Sequence, residues 1–461
     1  MSPVTRNEMV ERIWSRDASL WTSSGEEEWL GWLAAPARSQ EQLSEILSVA
    51  EAALEGADNV LLLGMGGSSL APEVMRRAFG ISTFQVLDST HPAAVRRVAA
   101  ELDPERTVVL VSSKSGSTIE TRSHLEYFWA WAGERGEHFL AVTDPGSSLE
   151  MLARDRHFAG VISGEPTIGG RFSALSPFGI VPAVLMGIDA GRLLERAVEM
   201  ANACSFPDGN PGLELGITLG VAWAEGKDKV CIPEHPSGFA LWAEQLIAES
   251  TGKEDKKGVA KGLVPAPGAS AQGDDRQAVE LRLESPYELA QEFYRWEFAT
   301  AIAGALMEIN PFDQPNVQEA KDRTAEILAA AKEPSLEPQG SLDELLAGAD
   351  EGDYVAILAF VDPTEANDAK LAALAGRATE ATGCVVTRGF GPRYLHSTGQ
   401  LHKGGKANGL FVQVVDELGE EIAIPGKSFG FRRLIGAQAA GDLGALAKHG
   451  RPVIRIRMEE L

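Results

Sequence analysis

Short runs of apolar residues alternate along this chain with longer segments whose apolar positions recur at helical spacing. Such runs, flanked by helices, are typical of strands buried on both faces of a parallel sheet. The first set of runs lies at residues 59–63, 107–111, 139–142 and 159–162. We predict a doubly wound α/β domain over residues 51–205, preceded by an N-terminal helical arm over residues 1–50.

The alternation resumes after residue 205 and predicts a second doubly wound domain over residues 206–335. Its expected elements are a strand at 229–232, a helix at 238–250, a strand at 278–283 and a helix at 286–308.

A polar, proline-containing stretch at 334–341 has the composition of a linker. Beyond it, a strand at 354–360, a helix at 369–382 and a strand at 409–415 predict a smaller C-terminal α/β domain over residues 342–461.

The net charge of the chain argues against two classes of partner. The 461 residues include 66 acidic and 42 basic side chains, a net charge of -24. Such a surface repels nucleic acid and anionic membranes, so neither is expected as a partner. An anionic small molecule must be held by a local positive pocket.

The three cysteines, Cys204, Cys231 and Cys384, have no metal-binding spacing, and their odd number argues against a disulfide framework. No secretory signal and no run of about 18 apolar residues is present. A cytoplasmic location is the expectation.

Two loops at strand ends have the composition of anion sites. Residues 64–70 form a glycine-rich turn between a strand and a helix, where free N–H groups point outward. Asp88 after the next strand would suit a dinucleotide site, but Ser69 replaces the third glycine of that fingerprint. Residues 112–120 place hydroxyls around Lys114 and a glycine. Together the loops favour a phosphosugar cradle.

Two charged residues suit proton-transfer chemistry. Arg171 follows a glycine pair, so its planar guanidinium can meet a carboxylate, a phosphate or an oxyanion at close range. Glu249 ends an amphipathic helix, where the macrodipole tends to raise the pKa of a carboxyl. A base and a positive group are the parts that moving a carbonyl between adjacent sugar carbons requires.

The segments 167–179, 249–253 and 312–321 resemble the phosphoglucose isomerase family, with Pro315 and Asn316 in place of the usual aromatic and glycine. Residues 395–405 are more similar to the isomerase half of bacterial transaldolase–phosphoglucose isomerase fusions. The resemblance runs from about Asn59 to the C-terminus and implies two sugar-isomerase (SIS) domains.

By this resemblance the chain interconverts glucose 6-phosphate and fructose 6-phosphate through a cis-enediolate, without a metal or other cofactor. Glu249 is implied as the base, Arg171 as the enediolate stabiliser, and Lys321 as a contact of the ring oxygen or a hydroxyl. The implied substrate-binding residues are Ser68, Ser113, Lys114, Ser115, Thr118, Glu120, Gly170 and Gln314.

The ring-opening histidine departs from the family pattern, because no histidine lies between His235 and His396. His402 is the candidate for that catalytic role, and His396 is the other candidate, predicted to bind substrate.

Two alternatives stay open: a non-catalytic phosphosugar-binding SIS module, and another phosphosugar isomerase such as one acting on both glucose and mannose 6-phosphates. A nicotinamide dehydrogenase ranks last. The resemblance implies a homodimer.

Overall fold

The first sheet contains five parallel strands in the order β2-β1-β3-β4-β5. A computed structural model describes residues 5–330 and 333–461 of the chain. The strands are β1 Asn59–Leu63, β2 Phe84–Leu87, β3 Thr107–Ser112, β4 Phe139–Thr143 and β5 Gly160–Ser163. The predicted strands and their parallel arrangement are confirmed.

Both faces of this sheet are buried, which explains why its strands are continuously apolar. Leu62 and Leu110 pack in one hydrophobic cluster, whereas their chain neighbours Leu61 and Val109 pack in another. Successive side chains of a strand point to opposite faces, so the two clusters are the two covered sides of the sheet. The α/β class predicted from the sequence is therefore confirmed.

The second sheet is smaller and corrects one predicted strand. It contains β6 Lys229–Ile232, β7 Val264–Pro267 and β8 Arg276–Ala278, in the order β7-β6-β8. The strand predicted at 278–283 is wrong, because the pairing with β6 ends at Ala278. Strand β7 was not predicted because it contains two prolines, which an edge strand tolerates.

The third sheet contains four parallel strands in the order β10-β9-β11-β12. They are β9 Tyr354–Phe360, β10 Val385–Phe390, β11 Gly409–Val415 and β12 Val453–Arg457. Strands β9 and β11 lie where the sequence pattern predicts them. Strands β10 and β12 were not predicted, because charged residues such as Arg388 and Arg455 interrupt their apolar runs.

The helices connect the strands and cover the sheets, and no described helix is long and apolar enough to cross a membrane. Their bounds are α1 Arg6–Trp14, α2 Ala35–Ala53, α3 Leu70–Ala78, α4 Pro92–Glu101, α5 Ile119–Trp131, α6 Ser148–Asp155, α7 Pro177–Leu185, α8 Ala190–Ala203, α9 Pro211–Ala224, α10 Phe239–Thr251, α11 Leu289–Leu306, α12 Val317–Ala329, α13 Leu342–Ala347, α14 Glu365–Thr382, α15 Gly399–Gly404 and α16 Phe431–Lys448. The division into an arm and three domains stays a prediction.

The third sheet and its helices, residues 342–461, are called the C-terminal unit below. Charged and polar contacts join this unit to the carboxyl edge of the first sheet. Arg393 donates two hydrogen bonds to Asp88, from Nε at 2.6 Å and from Nη2 at 2.7 Å. His91 at the start of α4 lies 3.1 Å from a carboxylate oxygen of Asp416. The C-terminal unit is thereby held over the loops that follow β1, β2 and β3.

We predict that Arg393→Met destabilises the protein by about 3–5 kcal/mol, because it leaves the Asp88 carboxylate buried without its partner. Urea denaturation with two spectroscopic probes measures the change. The matched control is Arg196→Met, which removes an exposed ion pair with Glu199 on α8. Equal losses in the two variants would contradict a special contribution of the Asp88–Arg393 pair.

Candidate active site

Two glycine loops come into direct contact at the carboxyl edge of the first sheet. A β-carbon added to Gly67 would lie 2.0 Å from the carbonyl oxygen of Gly170. Gly66 has a φ of +54°, and a β-carbon there would lie 2.8 Å from the carbonyl oxygen of His396. The loop after β1 therefore packs against the Arg171 segment on one side and the C-terminal unit on the other.

Arg171 is buried, and each arm of its guanidinium has an acceptor. Its side chain is only about 1% exposed. The acceptors are Ser250 Oγ at 2.8 Å, Gln314 Oε1 at 2.7 Å, Pro311 O at 2.6 Å and Asp313 O at 2.8 Å. Burial lowers the pKa of Arg171 from its ordinary value, and the carboxylates of Glu249 and Asp313 oppose this shift. A guanidinium keeps its charge at neutral pH even so.

Glu249 lies beside this guanidinium, with its Oε1 3.7 Å from Arg171 Nη1. The residue is on the last turn of α10 and is 8% exposed. One turn earlier, Gln245 donates from Nε2 to Glu249 Oε2 at 3.0 Å and to the carbonyl oxygen of His396 at 2.8 Å. The Oε1 of Gln245 is buried and has no hydrogen-bond partner among the described residues. The site thus offers an unused acceptor next to the carboxylate.

Glu120, on α5, and His396, in the C-terminal unit, form a pair. His396 Nε2 lies 2.9 Å from Glu120 Oε1, which also accepts a hydrogen bond from Gln438 Nε2 at 2.7 Å. Burial alone would raise the pKa of the Glu120 carboxyl, but His396 and Lys321 help to lower it below its ordinary value. Lys321, exposed on α12, is therefore close to this pair. A carboxylate at Glu120 can only accept, so Nε2 of His396 is the donor of this hydrogen bond.

His402 lies elsewhere, in the hydrophobic interior of the C-terminal unit. Its ring packs 5.1 Å from that of Phe411 and 6.0 Å from that of Tyr394 between centroids. It is 3% exposed. Burial, with Lys403 and Arg451 nearby, lowers its pKa well below the ordinary value. Of the two sequence candidates, it is thus His396 that lies against Glu120.

The hydroxyl loop after β3 precedes Glu120 and is shaped by its own hydrogen bonds. Ser113 Oγ accepts from the backbone N–H of Gly116 at 3.2 Å and lies 3.4 Å from Thr118 Oγ1. Ser115 is exposed. Lys114 turns away from these hydroxyls and donates to Asp144 Oδ2 at 2.5 Å and to the carbonyl oxygen of Glu165 at 3.0 Å. Lys114 therefore anchors the loop.

The unusual Asn316 of the second signature is explained by the C-terminal unit. Gln400 on α15 accepts from the backbone N–H of Asn316 at 2.9 Å and donates to its side-chain oxygen at 2.8 Å. The same amide donates to the carbonyl oxygen of Gly252 at 2.9 Å. One glutamine therefore connects the end of α10 with the segment that contains Gln314.

Sequence reasoning missed Lys253 as a residue of the site. Its ammonium donates to the carbonyl oxygen of Asp313 at 2.6 Å and to Oδ1 of the same residue at 2.7 Å. Arg171 donates to that same carbonyl oxygen. Burial, and secondly the charge of Arg171, lower the pKa of Lys253 to about 7, against the opposing effect of Asp313 and Glu249. Gln245 and Gln438 were also missed; only the spacing of Gln245, four residues before Glu249, was a usable signal.

An open parallel sheet with charged side chains gathered at the carboxyl ends of its strands defines the class of α/β proteins that bind small ligands at that edge. Within this class, residues 43–211 match the family model described as phosphoglucose isomerase. The resemblance to that family, inferred from the sequence motifs, is confirmed over this segment.

Curated relatives agree with the match. The chain is 32% identical over 271 residues to glucose-6-phosphate isomerase of Thermus thermophilus, covering 56% of this chain and 63% of that protein. It is 32% identical over 286 residues to glucose-6-phosphate isomerase of Carboxydothermus hydrogenoformans, covering 56% of this chain and 61% of that protein. The chain thus spans less than two thirds of the length of these relatives.

Solved structures share the fold. A glucose-6-phosphate isomerase from Chlamydia trachomatis superposes with a TM-score of 0.54 at 22% identity, over 70% of this chain and 78% of that one. The hypothetical protein TT0462 from Thermus thermophilus gives a TM-score of 0.50 at 21% identity, over 98% of this chain and 83% of that one. The closer likeness to a transaldolase fusion stays a prediction.

We predict that Lys253 makes the free energy of unfolding depend on pH above neutrality. Between about pH 7 and pH 10 the unfolded chain keeps a proton on this lysine that the folded protein has lost. The free energy of unfolding of the wild type therefore rises with pH in this window. Between pH 7 and pH 9 it increases by up to about 2 kcal/mol more than that of Lys253→Met.

Denaturant unfolding at several pH values measures this difference. Lys257→Met, which removes an exposed lysine of the following loop, is the matched control and should run parallel to the wild type. A constant difference between wild type and Lys253→Met across the window would contradict the prediction.

Proposed function

We propose that this protein interconverts glucose 6-phosphate and fructose 6-phosphate by proton transfer through a cis-enediolate. The observation that carries the proposal is the buried contact between a carboxylate, Glu249, and a guanidinium, Arg171, at 3.7 Å. At this distance the two charged groups face each other without a direct hydrogen bond between them. The family match and the curated relatives support the same reaction.

In the proposed reaction, a carboxylate oxygen of Glu249 removes the proton from C2 of the open-chain aldose. The electron pair of that C–H bond forms the C1–C2 double bond, and the carbonyl oxygen at C1 becomes the enediolate oxygen. Arg171 stabilises this oxygen because its charge is already in place and surrounded by fixed acceptors. The proton of the C2 hydroxyl passes to the oxygen on C1, Glu249 returns its own proton to C1, and the carbonyl is left at C2 of the ketose.

We propose His396, rather than His402, as the group that opens the sugar ring. A neutral imidazole can take the proton of the anomeric hydroxyl or give one to the ring oxygen. Glu120 stabilises the imidazolium that forms when His396 accepts a proton, because their facing atoms are 2.9 Å apart. Lys321, whose charge helps to lower the pKa of Glu120, is proposed to donate to the ring oxygen or a neighbouring hydroxyl.

The phosphate is proposed to bind at the loops after β1 and β3. Ser113, Ser115 and Thr118 supply hydroxyl donors, and the glycine-rich turn around Ser68 supplies backbone donors at the start of α3. Gln245 is proposed to accept a hydrogen bond from a substrate hydroxyl, because its Oε1 is buried and unused among the described residues. These contacts would align C1 and C2 with Glu249.

Replacement of the base tests the proposed proton transfer. We predict that Glu249→Gln lowers kcat for fructose 6-phosphate by roughly 100-fold to 10,000-fold, since the amide cannot accept the proton. In deuterated water the wild type should also place deuterium at C2 of the product glucose 6-phosphate. A coupled assay and proton NMR measure the two effects, and mannose 6-phosphate tests the alternative of dual epimer specificity. Wild-type turnover by Glu249→Gln would exclude the proposal.

A substrate that cannot cyclise separates ring opening from proton transfer. Fructose 6-phosphate closes its ring through the 5-hydroxyl, so 5-deoxyfructose 6-phosphate stays open. We predict that His396→Gln loses roughly 100-fold or more in kcat on fructose 6-phosphate but keeps turnover of the 5-deoxy analogue. Glu249→Gln should lose both activities.

His402→Gln is the matched control for this experiment. It is expected to reduce stability through its buried ring contacts while retaining the ring-dependent turnover of the folded fraction. A loss of turnover confined to the cyclising substrate in His402→Gln, with His396→Gln unaffected, would reverse the assignment.

A further inference from the structure

A cleft with a volume of about 870 Å³ lies between the second sheet and the C-terminal unit, outside the candidate active site. One wall is formed by the segment before α10, the outer face of that helix and the end of β7. The other wall is formed by the first turns of α14, strand β10 and residues 393–398. A cleft of this size can hold a small organic molecule.

The positive charges of the cleft are already compensated. Each of its arginines makes an ion pair with a carboxylate: Arg77 with Glu73, Arg388 with Asp368, and Arg393 with Asp88. Three further carboxylates in the lining have no hydrogen bond or ion pair among the described residues; they are Glu234, Glu244 and Glu365. The negative charge left without a partner in the lining comes from Glu234 and Glu365, which favours a cation over an anion.

Glu244 is the most enclosed of these carboxylates, on the outer face of α10. Burial raises the pKa of its carboxyl to about 8, although Arg393 and Arg388 oppose this rise. An unpaired carboxylate in such surroundings is costly to ionise, and a cation placed beside it would recover that free energy. Apolar side chains of Leu241, Leu371 and Val386 complete the surroundings.

We propose that this cleft binds an organic cation, an ammonium group on an aliphatic body, with Glu244 as its counter-ion. The ammonium would pair with the Glu244 carboxylate, and the aliphatic body would cover the apolar part of the walls.

Both walls of the cleft are the reverse sides of segments that form the candidate active site. Glu244 faces the cleft, and the next residue, Gln245, contacts both Glu249 and the His396 backbone. Arg393, Ser397 and Thr398 line the cleft on either side of His396 in the chain. Occupancy of the cleft therefore changes the rate of isomerisation, a consequence that rests on the function proposed above.

The test uses 1,6-diaminohexane as the probe and calorimetry of the full chain as the first readout. Hexane-1,6-diol, which has the same body without charge, is the ligand control. The diamine is expected to bind, the diol is not, and Glu244→Gln should raise the dissociation constant for the diamine at least roughly tenfold. Glu380→Gln, an exposed change on α14 outside the cleft lining, is the matched control variant and should bind as the wild type does.

The second readout is turnover of fructose 6-phosphate at increasing diamine, which should change for the wild type and for Glu380→Gln but not for Glu244→Gln. Thermal unfolding verifies that each variant is folded. Absence of diamine binding, or equal binding by Glu244→Gln, would overturn the site whether or not the protein is an isomerase. Binding with unchanged turnover would confirm the site and overturn its coupling to catalysis.

Discussion

The arrangement of the candidate site depends on one buried guanidinium. A charge that is withdrawn from water is tolerated only when its N–H groups are matched by acceptors, and Arg171 takes them from two separate segments. Ser250 comes from the end of α10, Pro311 and Asp313 from the loop after α11, and Gln314 from the approach to α12. The hydrogen bonds of this one guanidinium therefore fix the distance between the second α/β region and the first. They also fix the position of Glu249 beside it.

The C-terminal unit completes the surroundings of that cation. It brings His396 to Glu120, Gln438 to the same carboxylate, and Gln400 to the backbone of Gly252 and Asn316. No histidine lies between Glu249 and the second signature, and the imidazole beside Glu120 comes from a later part of the chain. The exchange of glycine for Asn316 fits the same picture, because its amide is a partner of Gln400.

Periodicity in the sequence predicted the strands of the first sheet because both faces of that sheet are buried and the runs are uninterrupted. It failed at β7, where prolines occupy an edge, and at β10 and β12, where arginines with partners elsewhere interrupt the run. Motifs pointed to Arg171 and Glu249, because a short segment of sequence is enough to indicate the chemistry of each residue. Local spacing could not distinguish His396 from His402, and it could not identify Lys253 as a residue of the site. Both depend on contacts between segments that are distant in the chain.

The contact between Gly67 and Gly170 sets the distance between the loop after β1 and the segment that contains Arg171. Because Gly67 has no side chain, the two backbones meet at a separation that a single methyl group on this residue would forbid. Arg171 follows Gly170 in the chain, so the distance between these two loops determines the position of the guanidinium. Gly67 therefore sets how closely the two loops approach, and even a substitution there that preserved every backbone donor would displace Arg171 relative to Glu249.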